Sequence, residues 1–323
     1  MGNEGGGMGT QYFVVGSGSI GRRHHDNLKR LGAEVHLLGW RGLDLATLEA
    51  MVGGAGRAAA VVIATATQVR LELIGICGRL GVPFYVEKPV AFRIEDLERI
   101  RAAAAPVADR SMVGFMMRYH PSLRALVEEP VAAYGFHMEI GHDVRQWRQN
   151  WRFGNSYAAR AEGGGVLLDL CHELDMAHVL FPAARLQAVD CIGHADFPGV
   201  DFATTVTLAQ EGGPVGNVRM DYLSPKSLRR MQLRGRDEVL DLDWLVPRWL
   251  RSGGGEQRLR DWTFERNDMF LGLMGDFMAL VEGRPVSGNP LMPRFDRVQN
   301  SCALIAQAWE MRAFHGALTG GFE

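Results

Sequence analysis

The chain has 323 residues, 47% hydrophobic and 22% charged, enough for about two domains with cores of their own. That apolar fraction excludes an intrinsically disordered protein. Lys+Arg 35 against Asp+Glu 37 gives a formal net charge of -2, without the basic footprint of a nucleic-acid binder.

The first residues, MGNEGGGMGT, have neither a basic nor an apolar region, so no signal peptide is expected and residues 1–9 read as a flexible tail. From there the pattern alternates. Strands are predicted over Gln11–Val15, Glu34–Leu38, Ala60–Ala64, Pro83–Val86 and Ser111–Phe115. Helices are predicted over Ile20–Leu31, Leu71–Leu80 and Glu95–Ala105, the first two stopped by Gly32 and Gly81. Such alternation indicates βαβ units and a parallel sheet. After Pro121 the texture changes. A helix over Ser122–Glu128 and a strand over Val131–Gly141 lead into a polar, aromatic-rich loop that runs to Tyr157. A helix over Gly165–Phe181 comes next. Short strands follow at Leu186–Ile192, Phe202–Ala209, Val215–Tyr222, Arg229–Arg234 and Val239–Leu242, a spacing that favours a largely antiparallel sheet. Helices over Asp268–Glu282 and Asp296–His315 finish the chain. No apolar stretch reaches the roughly 18 residues of a membrane span. Cys77, Cys171, Cys191 and Cys302 have no paired spacing and read as reduced, buried thiols of a cytoplasmic protein. No metal-ligand spacing occurs, so no metal is expected.

Gly16-Ser17-Gly18-Ser19-Ile20-Gly21 follows a strand and opens a helix. In that setting the first glycine permits a tight turn, the second lets backbone approach a pyrophosphate, and the third lets helix and strand pack closely. The helix N-terminus adds oriented N–H groups. The competing reading is a glycine-rich structural turn. The expectation is an α/β chain with a Rossmann domain over residues 10–121 and an α+β domain with an open antiparallel sheet over 122–323. An NAD enzyme places an acid near the end of the second strand to bind ribose hydroxyls. Here that region reads Leu38-Gly39-Trp40-Arg41, with no acid before Asp44. Arg41 would pair with a 2′-phosphate, so the reading leans to NADP over NAD. The alternative is that Arg41 is a solvated loop cation in an unselective enzyme.

Four motifs together resemble one family. GSGSIG followed by His24 is similar to the opening of the glucose–fructose oxidoreductase / inositol dehydrogenase / rhizopine-catabolism (Gfo/Idh/MocA) proteins. Glu87-Lys88-Pro89 after a strand looks like their EKP signature. Gly114–Pro121 and Gly163–Asp175 resemble their sixth strand and active-site helix. Three departures stand out. Ala64–Arg70 lacks the family's proline and histidine, Met116 stands where asparagine is common, and Asp169 and His172 are three rather than four apart.

The resemblance implies a nicotinamide-dependent oxidoreductase acting on a sugar, sugar derivative or polyol, with Ala64, Thr65, Glu87 and Lys88 joining Gly16–Gly21 and Arg41 at the cofactor. Oxidation of a secondary alcohol needs a base for the hydroxyl proton and a donor for the developing alkoxide. His172 suits the first, since an unperturbed imidazole titrates near neutral pH. Lys88, at a strand C-terminus where such sheets bind ligands, suits the second. A salt bridge to Glu87 is its structural alternative, and Glu87 itself orients the lysine or contacts cofactor. Asp169 either bonds the substrate, orients His172 or partners a helix N-terminus. Trp147, Arg148, Trp151, Arg152 and Tyr157, with Arg118, offer stacking faces and donors for a sugar-like substrate, or interdomain packing. His24 and His25 are expected on the outer face of the first helix, and His120 in a hinge or core. Cover for the open sheet predicts a homodimer or homotetramer. Two other readings remain: a dinucleotide-sensing regulator without turnover, and a redox-assisted glycosidase.

Overall fold

The structure, a computed structural model, describes residues 9–146 and 152–321. It separates into two compact units. The first comprises the chain up to Val90, then Glu95–Tyr119 and Glu265–Gln299; the second comprises Ala91–Ile94, His120–Phe264 and the chain from Asn300.

The first unit begins with β1 (Gln11–Val15), α1 (Ser19–Arg30), β2 (Glu34–Leu38), α2 (Leu45–Ala55) and β3 (Ala59–Ile63). It continues with α3 (Arg70–Leu80), β4 (Phe84–Val86), α4 (Ile94–Ala104) and β5 (Met112–Val113). The five strands form one parallel sheet in the order β2-β1-β3-β4-β5. Its central strands are apolar runs because both faces are buried: every residue of β3 and β4 is inaccessible to solvent or nearly so. On α1, Gly21, His24, Asn27 and Leu28 form the buried stripe, and Gly32 follows the helix in the left-handed region with φ 86°. The strand order turns about β1, which opens a crevice at the strand C-termini above it.

The second unit has α5 (Pro121–Glu128), β6 (Ala133–Gly141), α6 (Val166–Asp169) and α7 (His172–Leu180). The strands β7 (Arg185–His194), β8 (Phe197–Ala209), β9 (Val215–Asp221), β10 (Leu228–Gly235) and β11 (Glu238–Asp243) follow. Then come β12 (Arg248–Gly253) and β13 (Glu256–Asp261). Here α8 (Arg266–Val281) rejoins the first unit, where it packs on α1, with an Asn267–Asn27 amide bond of 2.9 Å. The chain returns to the second unit with α9 (Gln299–Glu310) and β14 (Ala313–Leu318). The nine-stranded sheet runs β13-β12-β11-β10-β6-β9-β8-β7-β14 and is antiparallel except for β6–β9 and β7–β14. The helices α6 and α7 lie against β6, β8 and β9. On the other face one transverse row of cross-strand partners reads Asp190, Thr205, Arg219, Glu139, Arg230, Asp243, Arg248, Asp261.

Three expectations change. A linear division at residue 121 misses the return of 265–299, because the sequence carries no composition shift there. The helix expected over 165–181 is two helices, interrupted at Leu170 (φ -105°, ψ 21°). The anchors on either side differ: Asp169 bonds two tyrosines, while buried Glu173 takes a 2.5 Å bond from Arg229 on β10. The helix expected to reach His315 stops at Glu310, and Ala313–Leu318 pairs instead with β7. No helix among the described residues is long and apolar enough to cross a membrane.

Candidate active site

The loop after β1 assigns a separate task to each glycine. Gly16 has φ +112°, and a Cβ there would lie 2.4 Å from the Ala64 carbonyl oxygen. A Cβ on Gly21 would stand 1.7 Å from the Gly16 oxygen. Both are therefore required by packing. Gly18 is different: nothing lies within 4 Å of its Cβ position, so the space above it is open to a ligand. No side chain caps α1 at this end and its first turn holds no acid, leaving its N–H groups for an anion. Ser17, Ser19 and Ile20 complete the loop, and Arg22 donates to the Ser17 carbonyl at 3.0 Å. A dinucleotide pyrophosphate fits this cradle.

Past β2, Arg41 is exposed. Asp44, the first acid after that strand, caps α2 by accepting from Thr47 N at 2.8 Å and from the Thr47 hydroxyl at 2.5 Å. Those bonds hold its carboxyl below the usual range.

At the end of β4, Glu87 is buried, and its Oε1 lies 2.7 Å from His24 Nε2 and 2.9 Å from the Tyr85 hydroxyl that donates to it. Burial alone would raise this carboxyl. Hydrogen bonding and charge from His24, the charge of Lys88 and the Tyr85 hydroxyl outweigh it and hold Glu87 below the ordinary glutamate range. A side chain on Gly114 would collide with the group, 2.7 Å from the Tyr85 oxygen. His24 is thus not on an outer face: it is fully buried and braces the residue before Lys88. Its phase with Gly21 and Leu28 on the buried stripe of α1 was the available signal.

Because Glu87 titrates lower in the fold than in the open chain, its anionic contribution is complete above about pH 4.3 and is lost as pH falls through the folded value. Glu87→Gln should therefore cost about 2 kcal/mol near neutral pH, with the gap to the parent closing in acid. Urea midpoints across that range check this, and a gap independent of pH would refute it.

Arg118 sits inside the first unit, 8% exposed, stacked over Phe115 and with its guanidinium 3.5 Å from the Leu291 carbonyl. It follows the C-terminal end of β5, the parallel neighbour of β4.

In the second unit the triple glycine makes a close crossing. Gly163 and Gly165 have φ 77° and 91°, and a Cβ on Gly164 would meet the Arg160 oxygen at 2.3 Å. Fully buried Asp201 then fixes the start of α6, accepting from Leu167 N (2.9 Å), the Thr204 hydroxyl (2.8 Å) and Arg312 (2.7 Å). This anchor presents Asp169 and His172, the last residue of α6 and the first of α7. Asp169 accepts from the Tyr157 hydroxyl at 2.5 Å and from the Tyr222 hydroxyl at 3.1 Å. Burial, then the charge of Asp169, raises the Tyr222 phenol far above its ordinary range and keeps it a donor. His142 stands beside Tyr222, ring centroids 6.2 Å apart. Burial lowers its imidazole, against the pull of Asp169, Asp221 and Asp143. No motif pointed to Tyr222 or His142. Tyr157 and Arg152 are exposed, while Trp147, Arg148 and Trp151 lie outside the described residues. His120 is buried, caps α5 through Nδ1, and packs between Trp244 and Phe264.

Residues 132–240 match the family model for the GFO/IDH/MocA C-terminal domain. The match falls within the second unit. The resemblance read from the motifs is borne out. Inositol 2-dehydrogenase of Rhizobium meliloti (strain 1021) is 30% identical over 135 residues, 37% of this chain and 40% of that protein. The match thus spans less than half of that relative. Among solved structures, levoglucosan dehydrogenase in complex with NADH and levoglucosan aligns at TM-score 0.70 and 17% identity, over 94% of this chain and 96% of that one. A variant 3-ketoreductase from Actinomadura kijaniata in complex with NADP aligns at TM-score 0.73 and 15% identity, over 96% of this chain and 100% of that one. At such identities these two likenesses establish the fold: a parallel, Rossmann-like sheet and a second, mostly antiparallel one.

Proposed function

We propose that the protein is an NAD(P)-dependent oxidoreductase that moves a hydride between nicotinamide and a secondary alcohol or ketone of a sugar, sugar derivative or polyol. The observation that carries the reading is Lys88, held at the C-terminal edge of the parallel sheet by a buried His24–Glu87–Tyr85 cluster beside an open glycine cradle. Two of the similar proteins are named for inositol and levoglucosan, and the two solved structures hold NADH or NADP.

Gly16–Gly21 and the N-terminus of α1 hold the pyrophosphate, with Ala64, Thr65 and Glu87 lining the rest of the dinucleotide site. Bound there, nicotinamide supplies the hydride acceptor. Lys88 donates from its ammonium to the substrate oxygen and steadies negative charge on it. His172 takes the hydroxyl proton. Asp169, its oxygens ordered by Tyr157 and Tyr222, accepts from a second substrate hydroxyl. Trp147, Arg148, Trp151, Arg152 and Arg118 remain substrate-side candidates from the sequence.

The commitment of Asp44 to capping favours NADP, since no other acid lies between β2 and α2 to meet a ribose diol. Arg41→Asp should then move the NADP-to-NAD preference by about tenfold toward NAD, the loss of one charge-assisted contact. Calorimetric titration of both cofactors checks it, and an equal change for both would remove Arg41 from the phosphate site. We further propose a cytoplasmic homodimer or homotetramer that joins through the outer face of the nine-stranded sheet; its four cysteines, buried and not joined in disulfides, suit a reducing compartment.

The deciding experiment mixes the protein with NADP or NAD and a panel of aldoses, inositols and nucleotide sugars, following nicotinamide reduction by absorbance. Accumulating reduced cofactor with an oxidised sugar supports the reading. Net hydrolysis without reduced cofactor would make it a redox-assisted glycosidase, and tight cofactor binding with no turnover a regulator.

A further inference from the structure

The segment between β3 and α3, residues 64–69, has no proline to restrict it, and yet it must sit against the glycine loop: the Gly16 backbone leaves no room for a Cβ beside the Ala64 carbonyl. Arg70, the first residue of α3, is 3% exposed. Its guanidinium donates to the Thr65 carbonyl at 2.9 Å, to the Glu87 carbonyl at 2.5 Å and to the Pro89 carbonyl. Three backbone oxygens, one after β3 and two on either side of Lys88, thus converge on one planar cation.

We propose that Arg70 is the positioning residue for the half of the cradle that takes the nicotinamide end. The inference rests on the reading of the cradle as a dinucleotide site. In a sheet ordered β2-β1-β3-β4, the adenosine end belongs over β2 and the pyrophosphate over β1, which leaves β3 and β4 for the other end. The loops after β3 and β4 are the two that Arg70 joins. It touches neither substrate nor cofactor in this role; it sets the path of the backbone that carries Lys88. A lysine at this position keeps the charge but cannot span three acceptors with a fixed fork.

The test compares binding of NADP, NAD and ADP by calorimetry to the parent, Arg70→Ala and Arg70→Lys, with thermal unfolding measured alongside. In Arg70→Ala both dinucleotides should bind about tenfold more weakly, the loss of a charge-assisted hydrogen bond, while ADP stays within about twofold because its contacts lie on the β1 and β2 side. Arg70→Lys should recover only part of the loss. Equal weakening of ADP and dinucleotide would mean general loosening of the fold and would overturn the proposal, as would unchanged dinucleotide affinity or full recovery by lysine. If Arg70→Ala does not fold, the same comparison in Arg70→Lys decides. A parent that binds neither ADP nor dinucleotide would instead remove the cradle reading itself.

Discussion

Replacing His172 by asparagine should lower turnover by about 10²–10⁴-fold, the usual contribution of a positioned acid or base, while dinucleotide affinity stays within a few-fold. The separation follows from where the groups sit. Every residue assigned to the dinucleotide belongs to the first unit, whereas His172 opens α7 in the second. It is 8% exposed, next to the break between α6 and α7 rather than in the middle of a packed helix. Asparagine keeps a polar group of similar reach but accepts no proton at neutral pH. Steady-state rates on the first substrate found, with cofactor titration on the same variant, check both halves of the expectation. Turnover within a few-fold of the parent would end the assignment, and the short Tyr157–Asp169 pair would be the next base to examine.

The second large effect is at Gly18. Gly18→Val should weaken dinucleotide binding by about 100-fold or more, or about 2.7 kcal/mol, without unfolding the protein. Its backbone is extended (φ -70°, ψ -177°), a conformation valine accepts readily. No protein atom lies within 4 Å of the new Cβ, so the branched side chain meets only what binds there. The loss of a glycine N-cap costs the helix at most about 1 kcal/mol. Gly21→Ala makes the contrast, since its Cβ would fall 1.7 Å from a backbone oxygen and the loop itself would have to move. Calorimetry and thermal unfolding on the two variants separate a ligand-facing glycine from a packing glycine. Unchanged affinity in Gly18→Val would refute the cradle.

The parallel sheet was legible because strands covered on both faces must be apolar throughout, as Ala59–Ile63 is. The glycine loop and Glu87-Lys88-Pro89 were legible because their chemistry depends on local backbone. What escaped has equally local causes. The strands β12 and β13 were not predicted, and β13 is exposed along its whole length, so no alternation marks it. No glycine or proline separates α9 from β14, or α6 from α7, so periodicity ran through both breaks. The site depends on partners far apart in sequence: His24 with Glu87, Asp169 with Tyr222, Arg70 with Pro89. Residue type suggested the anchors at Glu87 and Asp169, but nothing in the spacing named what holds them.

The transverse row on the nine-stranded sheet bears on how the chain finds its own topology. Glu139 on β6 lies between Arg219 on β9 and Arg230 on β10, and Asp243 between Arg230 and Arg248. Along the chain β9 and β10 are consecutive and could close directly as a hairpin, leaving β6 outside. In that arrangement, at the present register, Arg219 would face Arg230, and like charges directly opposite cost up to about 1 kcal/mol per pair. Inserting β6 turns one repulsion into two attractions. The exposed face, where hydrophobic burial gives no instruction about neighbours, thus carries a charge code for strand order. Reversing it with Glu139→Arg should slow assembly of the sheet, by setting like charges on both sides of the inserted strand and so removing the advantage of the native order over the shorter, wrong closure.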